Sequence, residues 1–131
     1  MPYKRVISFT IFTVYLAAVA YLCFAKPEDV PHLPEYWFGL PADKLGHFLM
    51  FLPFPFLGYL AFSNEETNSR RKVLLLTGLL AAGAAIAVAT EQVQALSQYR
   101  TADIDDLMAD AIGIFCGGVA TFIYITQKKR A

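Results

Sequence analysis

The chain has 131 residues, enough for one domain, and is 56% hydrophobic with a mean hydropathy of +0.45, well above a soluble domain of this size. Eleven basic and eleven acidic residues cancel; this balance gives no argument for a nucleic-acid partner, and none is expected. The charges fall in short polar breaks between long apolar runs, and it is this arrangement that is informative.

A membrane-spanning helix needs about 20 mostly apolar residues, because ~30 Å of hydrocarbon is crossed at about 1.5 Å per residue. Four runs qualify: residues 6–25 without a charge, 45–62 with only His47, 73–89 without a charge and leading into Thr90 and Glu91, and 107–125 with only Asp110. Four such runs leave too little polar chain to cover them in water. The expected fold is an all-α integral membrane bundle of four transmembrane helices, a single membrane domain over residues 1–131.

The first run is longer than the apolar stretch of a signal peptide, and Cys23-Phe24-Ala25 only loosely matches a small-residue cleavage site, so it reads as a retained anchor. Four prolines between residues 26 and 42 argue against a long helix there. In that segment Tyr36-Trp37-Phe38 reads as an interfacial aromatic anchor and His32 as solvated. Pro53 and Pro55 should kink the second span, since each lacks a backbone donor and crowds the preceding turn. Residues 63–72 read as a polar, solvated loop. Cys23 and Cys116 lie at different depths, so they are expected as two buried, unlinked thiols.

Lys and Arg concentrate in cytoplasmic loops. Lys4, Arg5, Arg70, Arg71, Lys72, Lys128, Lys129 and Arg130 fall on one side of a four-span chain, with Lys26, Lys44 and Arg100 on the other. Both termini are therefore expected in the cytoplasm. The acids gather on the other face, in three clusters. In the first, Asp43-Lys44-Leu45-Gly46-His47, the carboxylate and the imidazole are one helical turn apart, so Asp43 could fix the His47 tautomer. In the second, Glu91 and Gln94 share a face at the end of the third span. The third runs from Arg100 through Asp103, Asp105, Asp106 and Asp110. Positions 103, 106, 110, 113 and 117 form one stripe, acidic at its outer end and then glycine, where another helix can approach closely; Asp105 falls off it.

Ionisable groups inside a span are a functional-site hypothesis by default. The bland readings are acids favoured at a helix start for Asp103 and Asp105, and a polar staple between helices for His47 and Asp110. Asp43, Glu91, Asp103, Asp106 and Asp110 outnumber Lys44 and Arg100 by three charges. Such an excess at a membrane boundary calls for protonation or a bound cation, and carboxylates with one His suit a divalent metal, though no spacing is diagnostic of one. A polar pocket at the outer face follows, with His47, Glu91 and Asp106 as candidates for catalysis and Asp43, Lys44, Gln94, Arg100, Asp103 and Asp110 as candidates for binding.

These clusters, in this order, resemble the VanZ-like family of bacterial membrane proteins: Asp43-Lys44-x-x-His47 opening the second span, Glu91-x-x-Gln94 closing the third, and Arg100-x-x-Asp103-x-x-Asp106 opening the fourth. The resemblance covers about residues 37–125, and departs at Asp110, where the family pattern has Asn. It implies a multi-pass protein of the bacterial cytoplasmic (inner) membrane. The family is named for a protein linked to teicoplanin resistance, a trait of the cell envelope. The leading expectation is a pocket that binds or processes a lipid-linked or phosphate-bearing envelope component, with Lys44 and Arg100 holding the anion and membrane lipid as the surrounding partner. The alternatives are a non-catalytic binding or shielding protein, a scaffold, and, less favoured, a proton or ion path. The sequence leaves the oligomeric state open.

Overall fold

The computed structural model describes residues 2–32, 34–99 and 101–131. Helix α1 spans Pro2–Phe24; a short 3-10 turn at Pro27–Asp29 follows. A two-residue antiparallel hairpin, β1 (Tyr36–Trp37) and β2 (Leu40–Pro41), leads into α2 (Ala42–Phe51). Then come α3 (Phe54–Phe62), α4 (Ser69–Leu96) and α5 (Ile104–Arg130). Four helical stretches are long and apolar enough to cross a membrane: α1, α2 with α3 as one run of 21 residues, α4 and α5. Their outward surfaces carry Val6, Ile11, Leu74, Phe115 and Phe122, the residue types a hydrocarbon solvent favours. The chain is a multi-pass membrane protein.

The proline-rich segment holds no long helix, as its composition dictates. The hairpin in it is an addition that the sequence reading did not contain. Its turn places Phe38 at φ 51° and Gly39 at φ 76°; glycine adopts that region freely, whereas phenylalanine is held there by the tight turn. Phe38 projects almost fully exposed from the tip, with Tyr36 and Trp37 also exposed, and His32 is exposed as expected.

The second span breaks where the prolines stand. Leu52 N–H still donates to Phe48 O, and Leu57 N–H restarts the ladder on Pro53 O at 2.9 Å. Pro53 and Pro55 cannot donate to the carbonyls of Leu49 and Phe51. Asn68 caps α4 by accepting from Arg71 N–H at 2.9 Å, so the polar loop ends earlier than its composition suggests.

The core has two parts. Phe12, Phe54, Tyr59, Leu76, Leu79 and Ile125 form one cluster, and Phe51, Ala87 and Ile114 form a second beside the acidic end. Helix α5 lies so close to α2 that a Cβ on Gly113 would stand 2.5 Å from Phe48 O, and one on Gly117 would stand 2.1 Å from Leu52 O. The stripe of small residues is thus a backbone-to-backbone seam. Tyr15 O–H donates to Met50 O, and Gln94 Nε2 donates to Cys23 O at 2.8 Å; both tie α1 to the other helices. Both cysteines are unlinked, but only Cys23 is buried. Cys116 faces out of the bundle, which corrects the expectation of a second buried thiol. At the end of the bundle opposite the acidic clusters, Lys4, Arg5, Lys72 and Lys128 line one cavity with Glu65 and Tyr124.

Candidate functional site

The acidic end is assembled from the starts of α2 and α5 and the last turns of α4. Asp103 caps α5: its Oδ1 accepts from Asp105 N–H at 2.9 Å, so the chain turns into the helix with its carboxylate facing inward. From there the 3-and-4 spacing carries Asp106 and then Asp110 down the face that meets α2, while Asp105 stays exposed.

Lys44 is the hub of the outer layer. Its ammonium donates to Asp103 Oδ2 and Asp106 Oδ1 and lies 3.2 Å from Asp43 Oδ2. An ammonium has three N–H donors, and three carboxylates take them. Lys44, expected to hold an anionic ligand, thus has its charge neutralised from three sides in this arrangement. The Lys44 hydrogen bond, together with the Asp105 N–H, holds the Asp103 carboxyl below the usual carboxylate range.

His47 is the hub of the inner layer. Its Nδ1 lies 2.9 Å from Asp110 Oδ1, and its Nε2 lies 3.5 Å from Asp106 Oδ2. Asp110 has no exposed surface at all, and His47 is 4% exposed. Asp43 shares the helix face but is exposed and pairs with Lys44. The tautomer-fixing partner of His47 is thus Asp110 rather than Asp43. The i, i+4 rule identifies neighbours along one helix; the glycine seam brings a deeper carboxylate from another.

Glu91 is also buried. Its Oε2 accepts from Asp103 N–H at 3.1 Å, joining the end of α4 to the start of α5. Among the described residues, Glu91 Oε1 and Asp110 Oδ2 are enclosed and have no hydrogen-bond partner. One ligand-type atom from each of His47, Glu91 and Asp106 lies within 4.8 Å of the others. Gln94 shares the buried face of Glu91, but its amide is engaged on Cys23 O. Arg100 lies outside the described residues.

The structure thus brings together Asp43, Lys44, His47, Glu91, Asp103, Asp106 and Asp110. An open cavity lies beside this cluster and shares Asp43 and His47 with it. It measures about 610 Å³ and lies between the end of α1, the hairpin segment and α2. Leu22, Val30, Tyr36 and Met50 give it apolar walls, and Glu35, Asp43 and His47 give it a polar side. Glu35 and Met50 were not singled out from the sequence. The pairing of Ala42 N–H with Glu35 O at 3.0 Å, which folds the segment back on α2, has no local sequence signal strong enough to find it. His47 is the residue common to the cavity and the buried cluster.

An uncharacterized protein of the fission yeast Schizosaccharomyces pombe is 32% identical over 127 residues, covering 97% of this chain and 67% of that protein. No solved structure matches. The VanZ/LLP1 family model matches residues 7–125, a stretch that begins within α1, ahead of the motifs themselves. The chain belongs to the VanZ/LLP1 family.

Proposed function

We propose that this membrane protein binds an amphiphilic, lipid-linked or phosphate-bearing component of the cell envelope in the cavity beside α2, with its headgroup at His47. The observation that carries this reading is the cavity's division: apolar walls from Leu22, Val30 and Met50 meet a polar side formed by Asp43 and His47. That division suits a molecule with an acyl portion and a polar head. His47, Glu91 and Asp106 are the groups we assign to any chemistry on the headgroup. Asp43, Lys44, Asp103 and Asp110 hold them in position, Gln94 ties the end of α4 to α1 through Cys23 O, and Arg100, outside the described residues, keeps the anion-binding role that its sequence position suggests. In a bacterial cytoplasmic membrane the same site could contribute to teicoplanin-type resistance by altering the supply or exposure of such a lipid.

Gly46 offers a direct test. It lines the cavity, and a Cβ there would meet nothing within 4 Å. Gly46→Phe should fill the cavity without touching the helix seam. Mass spectrometry of lipid retained by the detergent-purified protein should show a loss of about tenfold or more, whereas Gly46→Ala should retain lipid and melt slightly higher, since Ala is better than Gly in a helix by about 1 kcal/mol. Equal lipid retention by wild type and Gly46→Phe would remove the cavity from consideration.

The same reading sets the acidic end outside the cytoplasm, supported by the basic residues at the opposite end. Alkaline phosphatase fused after Arg130 should be inactive and a fluorescent protein fused there should fold and emit. Active phosphatase would invert the topology.

A further inference from the structure

We infer that His47, Glu91 and Asp106 bind a divalent first-row transition ion of the zinc class. Three separate observations lead there. The first is proximity: one donor atom from each residue lies within 4.8 Å of the other two. Zinc sits about 2.0–2.2 Å from nitrogen and oxygen donors, so small side-chain rotations let all three share one ion.

The second is the state of His47. With Asp110 ionised, its carboxylate can only accept, so the proton of a neutral His47 sits on Nδ1 and donates to Asp110 Oδ1 at 2.9 Å. That leaves the Nε2 lone pair facing Asp106 Oδ2 at 3.5 Å, one acceptor against another. In that state two acceptors face each other, and either a second ring proton on Nε2 or a metal ion between them relieves the contact. A His that donates one nitrogen to a carboxylate while offering the other to a metal is the usual support for a metal ligand.

The third is Glu91. It is 6% exposed, and its Oε1 is enclosed with no partner among the described residues. A buried, unpaired carboxylate oxygen is costly, and a metal ion in the cluster would satisfy it. A second grouping, Asp43 with Asp103 and Asp106, also meets the distance condition. There the Lys44 ammonium already binds all three carboxylates, so no ion is needed. One nitrogen and two carboxylates suit a borderline ion such as zinc; magnesium and calcium prefer oxygen alone. The ion would also supply the positive charge for an anionic headgroup that Lys44 cannot offer, a role that rests on the lipid-binding reading above.

The test uses the full chain in detergent, stripped with a chelator, incubated with Zn²⁺ and desalted, with no lipid added. A single zinc ion per chain should be retained, with an X-ray absorption spectrum showing one imidazole. His47→Gln and Glu91→Gln should each weaken binding about tenfold or more, and Asp110→Asn, acting through the imidazole, about 10–100-fold. Asp105→Asn, exposed and outside the cluster, should bind as wild type does. Wild-type protein that retains no zinc, or zinc whose spectrum lacks imidazole, overturns the site even if the variants do not fold. Because the assay contains no lipid, its failure leaves the cavity reading intact, and equal lipid retention by wild type and Gly46→Phe would remove the cavity while leaving the metal site intact.

Discussion

Gly117→Ala should collapse the bundle's stability, although it adds a single methyl group. That methyl would sit 2.1 Å from Leu52 O and 3.1 Å from Pro55 Cδ. The first obstacle is backbone, which cannot rotate aside, so α5 has to move away from α2 by more than an ångström. Overpacking of a core costs about 1–3 kcal/mol and sometimes more, and a rigid backbone obstacle belongs at the top of that range. Gly78→Ala provides the contrast: a Cβ there meets nothing within 4 Å, so the better helix propensity of Ala should leave stability equal or raise it by up to about 1 kcal/mol. Thermal unfolding in detergent, followed by Trp37 fluorescence or by loss of soluble protein, would register opposite signs for the two variants. Similar melting temperatures would mean that α2 and α5 do not meet at this seam.

Lys44→Met should be the second severe change, and its effect should depend on pH. Removing one partner from a fully buried ion pair costs about 3–5 kcal/mol. Lys44 sits nearer the rim, where solvent screens the charges, so a loss of about 1–3 kcal/mol at pH 7 is expected. The sign with pH follows from Asp103. Its carboxyl titrates below the usual range in the folded protein because Lys44 bonds to it. A lowered folded-state value contributes stability above the unfolded value of about 4, and that contribution is lost as pH falls through the folded value. In Lys44→Met the contribution is absent, and Asp43, Asp103 and Asp106 are left to repel one another until acid neutralises them. The stability gap between wild type and variant should therefore be widest near neutral pH and close below about pH 4. A gap of constant size from pH 3 to pH 8 would assign the loss to the packing of the lysine stem instead of its charge.

The membrane architecture was legible because hydropathy is a local property. Each of the four apolar runs became a spanning helix, and Pro53 broke the second. The helix ends were less legible: α2 begins at Ala42, and α4 and α5 extend through Ser69 and Arg130, since polar residues at a membrane boundary can prolong a helix that the hydrocarbon does not require. The stripe from Asp103 to Gly117 was readable for the same local reason, and α2 lies against it. What the sequence did not reveal was which carboxylate meets which base. Asp43 was the near neighbour of His47, yet Asp110, 63 residues away, makes the bond. The outcome depends on how closely two helices approach, a tertiary property set by Gly113 and Gly117. The cavity escaped notice because its walls come from α1, a hairpin and α2, three segments with no shared periodicity.

The direction in which each helix runs past the acidic cluster has a consequence of its own. Asp43, Asp103 and Asp106 stand at the starts of α2 and α5, where the summed peptide dipoles present about half a positive charge. Glu91 stands toward the end of α4, which finishes at Leu96, so its helix runs the other way. The backbone field supports the first three carboxylates and gives Glu91 no such help; among the described residues a single amide, Asp103 N–H, reaches it. Of these four carboxylates, Glu91 is the one that the dipole of its own helix does not support. The end of α4 adds its own negative potential where Glu91 Oε1 lies unpartnered among the described residues, so the backbone and the side chain draw a cation to the same place.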